Sequence, residues 1–215
     1  TSCIEPELNP SLEERQALVE ELKNEYVACE KSKPDIIFLM ASSTTSIDSG
    51  TTLEQLFHKY GPFPLEEHIA ASILRNITSA IIFLHSRDIV HGNVDSSSVI
   101  VDTQFNAKII VSTSVRRVRP SKAGRKRKGE DVFQVGLLLY RMLTGHMARF
   151  AENGELVGGP SPYMRVSEKG MKLVAYIFSG CQRFPPTIAC VRYSDWVEEC
   201  DENPPVFVLF PQDQF

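Results

Sequence analysis

The sequence predicts an α+β domain, mainly helical with a few short strands. Three observations predict it. Apolar residues recur at steps of three and four through several long segments. Short apolar runs stand between turn-forming residues. Lys33-Pro34, Gly61-Pro62 and Thr144-Gly145 punctuate the segments. Apolar residues make up 42% of the 215 residues, enough for a core in one domain or two small lobes.

Pro10-Ser11 opens the first helix, with Ser11 and Glu14 in an S-x-x-E capping box. Val19, Leu22, Tyr26 and Cys29 form one apolar stripe, and Lys33-Pro34 ends the helix. Ile36 to Met40 reads as a buried strand, and Ser42 to Gly50 as a mobile loop. Thr52 starts a short helix through His58, closed by Gly61-Pro62-Phe63-Pro64. Leu65 to His85 is a long helix whose face Ile69, Ile73, Ile77, Ile81 and Leu84 predicts a central, buried position. Val99-Ile100-Val101 and Lys108 to Val111 read as two strands around the turn Asp102 to Asn106.

Arg116 to Lys128 reads as a basic loop, and Asp131 to Leu143 as an apolar helix stopped by Gly145. Ala151 to Pro162 is loop-like, and Lys169 to Gly180 and Thr187 to Glu198 read as two further helices. The tail Val206 to Phe210 is apolar between prolines, a last strand or a docking segment.

The net charge of −4 gives no global sign of nucleic-acid binding. Five cysteines without a C-x-x-C pair argue for reduced thiols in a cytoplasmic protein and fit no zinc pattern. No apolar run approaches the ~18 residues of a membrane span. His58, His68, His85 and His146 read as ordinary helix-end or surface histidines.

The run Leu84-His85-Ser86-Arg87-Asp88-Ile89-Val90-His91-Gly92-Asn93 resembles the end of helix E and the catalytic loop of eukaryotic protein kinases, H-R-D-L-K-x-x-N. Asp131 to Gly145 is similar to helix F of that fold, and Gly61-Pro62 before the long helix to the connection of helices D and E. The resemblance covers about Leu12 to Trp196, in the correct order. It implies a protein-kinase-like fold with a reduced N-lobe and a mainly helical C-lobe. Residues 1–50 then form a partial N-lobe (helix C and following strands) and residues 51–215 the C-lobe of a single domain. It also implies that His91 is a structural residue under the loop rather than a base. It further implies that Asp131 pins the loop backbone, while the residues themselves read Asp131 as a helix-start cap rather than a metal ligand.

Phosphoryl transfer needs a carboxylate at the substrate hydroxyl and metal ions on the phosphates. Against the kinase pattern, Asn93 stands for the catalytic Asp, Asp95 for the basic residue two further on, and Ser98 for the metal-binding Asn. Val111 stands at the Asp of D-F-G, and the A-P-E segment, the Gly-rich loop and the V-A-I-K lysine are not found. The expectation is therefore a pseudokinase, not an enzyme, with no cofactor and no metal.

Gly50, Leu53, Gly61, Pro62, Pro64, Leu84, His85, Ser86, Val90, His91, Ser97, Val99, Val101, Asp102, Lys108 and Ile109 follow a spacing similar to that of one relative. It is the pseudokinase domain of the general control (amino-acid-starvation) kinase of translation initiation factor 2. The H-G-N triplet also resembles Janus-kinase and nuclear-receptor-binding-protein pseudokinases.

That resemblance implies an allosteric regulator of an adjacent kinase in translational control under nutrient stress, with a stand-alone scaffold as the alternative. Candidate partners are a kinase domain in the same chain, a separate kinase, or a second copy of the chain, and no membrane. Arg116, Arg117, Arg119, Lys122, Arg125, Lys126, Arg127 and Lys128 are read as a solvated loop, as a contact for RNA, a ribosome or an acidic partner, or as an import signal.

Overall fold

Ser11 and Glu14 satisfy each other at the start of the chain's first helix in the computed structural model. Glu14 N–H donates to Ser11 Oγ at 3.1 Å, and Ser11 N–H donates to Glu14 Oε2 at 2.7 Å. The structure describes residues 10–28, 36–38, 50–61, 64–157, 166–179 and 186–200. Helix α1 (Leu12–Ala28) buries Val19 and Leu22, and the ring of Tyr26 stands edge-on to Phe83 at 6.0 Å. Cys29, the last member of the predicted stripe, lies outside the described residues, as do Leu39-Met40, Ser42 to Ser49 and Val206 to Phe210. Glu21 and Glu25 of α1 each reach an arginine at 2.8 Å, Arg117 and Arg87 respectively. These pairs are largely solvated, so the buried leucine and valine hold the helix down far more than they do.

A four-stranded sheet follows in the order β1-β5-β4-β2. Its strands are β1 (Ile36–Phe38), β2 (Thr51–Thr52), β4 (Val99–Val101) and β5 (Ala107–Val111). β1 runs parallel to β5 with Ile36 opposite Ile109, and β4 and β5 form the predicted hairpin. Asp102 closes its turn by accepting the N–H groups of Gln104 (2.8 Å) and Asn106 (2.9 Å) through Oδ1. Thr52 ends β2 and caps α2 (Leu53–Tyr60): its hydroxyl accepts Gln55 N–H while the Gln55 side chain accepts Thr52 N–H.

The long helix α3 (Glu67–His85) is the axis of the core. Ile73, Ile77, Ile81 and Leu84 are fully buried and Ile69 is partly so. By length and composition alone α3 could cross a membrane, but in the described fold its apolar residues face β5 and the later helices α4 (Lys122–Thr144), α6 (Ile188–Arg192) and α7 (Asp195–Glu199). One hydrophobic cluster joins Leu18, Leu22 and Ile36 to these residues and on to Leu139, Val174, Val191 and Trp196.

Three expectations are corrected. The basic stretch is not a loop. Arg116 and Arg117 form β6, antiparallel to β3 (Ile89–Val90), and Lys122 already lies in α4 (Lys122–Thr144). Ser121 caps α4 by accepting Gly124 N–H at 3.1 Å, and lysine and arginine are good helix formers once a cap nucleates the turn. Next, Arg149–Phe150 (β7) and Leu156–Val157 (β8) pair as a hairpin where a loop was predicted. Finally, the helix predicted from Thr187 to Glu198 is broken into α6 (Ile188–Arg192) and α7 (Asp195–Glu199). Ser194 takes extended backbone angles there, and its hydroxyl donates to Val191 O at 2.9 Å.

Helix α5 (Glu168–Phe178) packs on α4 at Gly136. A Cβ there would stand 2.5 Å from Ile177 Cγ2, so the glycine sets the approach of the two helices.

Candidate functional site

The strand β3 delivers His91 and Gly92 to the face of α4, and Asp131 receives them. Asp131 Oδ2 accepts His91 N–H at 2.8 Å, and Oδ1 accepts Gly92 N–H at 2.8 Å. His85 Nε2, from the last turn of α3, lies 2.8 Å from Oδ2. A carboxylate only 1% exposed is thus matched by three donors, which is what lets it stay buried. Asp131 is not at a helix start. It stands in the third turn of α4, so its oxygens serve the loop instead of its own helix. His85 ends α3 as expected of a helix-end histidine, but it is not at the surface, since it holds this carboxylate.

Gly92 has φ +77°, and a Cβ there would lie 2.7 Å from Ser114 O, so both backbone conformation and space demand glycine. Ser114 Oγ donates to His91 O at 2.9 Å, and Gln134 Oε1 accepts Val94 N–H at 2.9 Å. The His91 ring is buried with both nitrogens engaged. Nε2 meets Ile110 O at 2.8 Å, and Nδ1 accepts Asn93 N–H at 3.3 Å. These partners fit a neutral ring protonated on Nε2. Burial pushes the His91 pKa below the usual histidine value, against the pull of the Ile110 carbonyl and the Asp131 charge.

Beyond His91 the loop turns on itself. Asn93 Nδ2 donates to Asp95 Oδ2 at 3.1 Å. Asp95 Oδ1 accepts the N–H groups of Ser97 and Ser98, both at 2.9 Å, and the Ser97 hydroxyl. Ser98 Oγ donates to Asp95 O at 2.8 Å and accepts Asp95 N–H at 3.0 Å, so it faces into the turn. Val111 ends β5 with its side chain fully buried. Neither residue turns an oxygen outward, so the positions that the kinase pattern gives to metal ligands do not fit that role here. Among the described residues no group of His, Cys, Asp or Glu side chains has the arrangement of a metal centre.

A second cluster braces the loop from the other side. Arg141 of α4 donates to Glu54 Oε2 at 2.7 Å and to Ser96 Oγ at 2.9 Å, and Ser96 also donates to Glu54. The Arg141 guanidinium lies 4.4 Å from the centre of the Phe57 ring. Hydrogen bonds from Arg141 and Ser96 hold the Glu54 carboxyl below its ordinary pKa. Glu54, Ser96, Gln134 and Arg141 were not singled out in the sequence. No local pattern links them, since α2, the loop and α4 meet only in the fold.

The eight basic residues are dispersed. Arg117 pairs with Glu21, and Lys128 donates to His85 O (2.7 Å) and Asp88 Oδ1 (2.8 Å). Arg116 and Arg117 run along β6, Arg119 precedes Ser121, and Lys122, Arg125, Lys126 and Arg127 line the first turns of α4.

Comparison with known proteins supports the protein kinase superfamily for this α+β chain. It is similar to the serine/threonine-protein kinase PLK4 of Drosophila ananassae, 29% identical over 101 residues, covering 38% of this chain and 13% of that protein. It is also similar to sperm motility kinase 3A of Mus musculus, 25% identical over 190 residues, covering 73% of this chain and 37% of the relative. A third relative is the serine/threonine-protein kinase PknL of Mycobacterium tuberculosis, 24% identical over 176 residues, covering 68% and 42%. The chain therefore spans less than half the length of each of these relatives. No protein-family model matches it. These relatives overturn one expectation. All three are named kinases and none a pseudokinase, so the inference from Asn93, Asp95, Ser98 and Val111 to a chain that is no enzyme does not stand. The loop does retain one carboxylate, that of Asp95.

Proposed function

We propose that the chain is a domain related to serine/threonine protein kinases that regulates a catalytic kinase domain by contact. That kinase lies in its own chain or in a partner, and the setting is cytoplasmic translational control under nutrient stress. The observation that carries this is the loop from His91 to Ser98. Asp131 fixes its backbone, while Asn93, Asp95, Ser97 and Ser98 satisfy one another. A loop so braced is a rigid surface suited to recognition, because little side-chain entropy is left to lose on contact. The spacing shared with a domain of the general control kinase supports the regulatory role. In this reading residues 1–50 are what remains of a small lobe and residues 51–215 the large lobe. The basic residues of β6 and α4 are the candidate contacts for RNA or a ribosome, and a second copy of the chain is a further candidate partner.

The test is a titration of the purified chain into the catalytic domain of the general control kinase, with phosphorylation of initiation factor 2 as readout. A saturable change in rate is expected. Binding without any change in rate would leave a scaffold, and no binding would end the proposal.

A second reading is favoured by the names of the relatives and by Asp95: phosphoryl transfer to a protein by the chain itself. Transfer of labelled phosphate from ATP to a protein substrate, abolished in Asp95→Asn, is its expected signature. Transfer unchanged in that variant, or no transfer at all, removes Asp95 from the role.

A further inference from the structure

A cleft of about 830 Å³ opens between the end of α3, the first turns of α4, α5 and α6. No residue of the loop from Asn93 to Ser98 lines it, although His85, which holds Asp131, does, and Arg125 and Lys128 belong to the basic residues of α4 named above. Its volume falls within the roughly 300–1,000 Å³ of small-molecule sites. Ile82, Val132, Pro186 and Ile188 give it apolar walls, and the Tyr176 ring, 44% exposed, stands at its edge.

The charged side chains of the cleft are of one sign. Arg125 and Lys128 line it, and among the described residues no aspartate or glutamate does. Lys128 is neutralised by Asp88 at 2.8 Å. His85 is occupied by Asp131. Arg125 differs: its side chain makes no hydrogen bond or ion pair with any described residue, so a full positive charge stands beside an apolar hollow.

An apolar hollow with a single uncompensated guanidinium matches a ligand with a flat apolar body and one anionic end. A carboxylate can take two parallel N–H bonds from the guanidinium fork, and an aryl body can lie on Tyr176 and the Pro186 ring. We propose that this cleft is a binding site for a small aromatic carboxylate, held through Arg125.

Cys190 lines the same cleft and is exposed, so its thiol reports occupancy. The Thr187 hydroxyl donates to Cys190 Sγ at 3.2 Å, and hydrogen bonds from Thr187 push the thiol pKa down, which favours reaction with an alkylating agent.

The probe is 2-naphthoate, with 2-naphthalenemethanol as its uncharged counterpart, added to the whole 215-residue chain. The readout is the rate at which N-ethylmaleimide modifies Cys190, resolved from the other cysteines by peptide mass spectrometry. Naphthoate is expected to slow Cys190 severalfold and to leave Cys200 unchanged. The alcohol is expected to bind about tenfold more weakly, the worth of one charge-assisted contact. Arg125→Glu should remove the preference for the acid. Ala189→Trp, a filling substitution at an exposed position on the cleft, should abolish protection by either compound. Thermal melts of both variants establish that they fold.

No protection of Cys190 by naphthoate, equal protection by acid and alcohol, or protection that survives Arg125→Glu overturns the proposal. Protection by an acidic aromatic peptide but not by naphthoate also overturns it, and gives the cleft to a protein partner.

Discussion

Asp131 shows how much one side chain can organise. Its two oxygens hold the N–H groups of His91 and Gly92 and the His85 ring. Truncation leaves those donors buried without an acceptor, each at a cost of about 1–3 kcal/mol. Asp131→Ala is therefore expected to lose about 3 kcal/mol or more of unfolding free energy, measured by urea denaturation. A loss under about 1 kcal/mol would mean that water replaces the carboxylate.

His91 carries a pH dependence. Its folded pKa lies below the usual 6.5, so the unfolded chain binds more protons in the window beneath that value. The stabilising contribution of the neutral ring is complete above about 6.5 and is lost as the pH falls through that window. Glu54, with a folded pKa below 4.5, loses its contribution only at lower pH still. The urea midpoint should fall between pH 7.5 and 5.5, and less so in His91→Asn. An equal fall in both proteins would show that His91 is not its source.

At the scale of elements, the helices depend on caps and on two close approaches. Gly124 lets the first turn of α4 lie against the short segment that joins it to β6, since a Cβ there would lie 2.1 Å from Arg119 O. Gly136 lets α5 lie against α4. In Gly136→Ala the gain in helix propensity of about 1 kcal/mol opposes a clash with the β-branched methyl of Ile177. Overpacking of this kind costs about 1–3 kcal/mol, so a net loss of roughly 1 kcal/mol in thermal melts is expected. An increase in melting temperature would show that α5 can move.

The corrected elements lacked a local signal. A two-residue strand such as β6 or β7 has no period to read, the basic run before Asp131 carries charge but no apolar stripe, and the break at Ser194 has neither glycine nor proline to mark it. By contrast α1, α3, β4 and β5 were legible, because capping boxes and repeated apolar spacing are local. Of the site, His91 and Asp131 could be picked out by resemblance. Glu54, Ser96, Gln134 and Arg141 could not, because their partners are 40 or more residues away.

The described elements share one core, from Leu22 in α1 to Trp196 in α7. Leu22→Ala is expected to cost about 2–5 kcal/mol. If the described elements unfold together, the single Trp196 and the far-UV circular dichroism will report the same lowered midpoint. A Trp196 transition that stays in place would make α1 a separate unit.

The sequence by itself determined the helical periods, the capping residues, the hairpin around Asp102 and the presence of Asn93 and Asp95 in the loop. Each depends on residues within a few positions of one another. Only the tertiary structure decided that Asp131 stands in the third turn of α4 and not at a helix start, that Arg141 braces Ser96 through Glu54, and that Arg125 lines an apolar cleft. Those outcomes rest on which helices pack together, and buried polar groups find partners only after packing has brought distant segments within hydrogen-bonding reach.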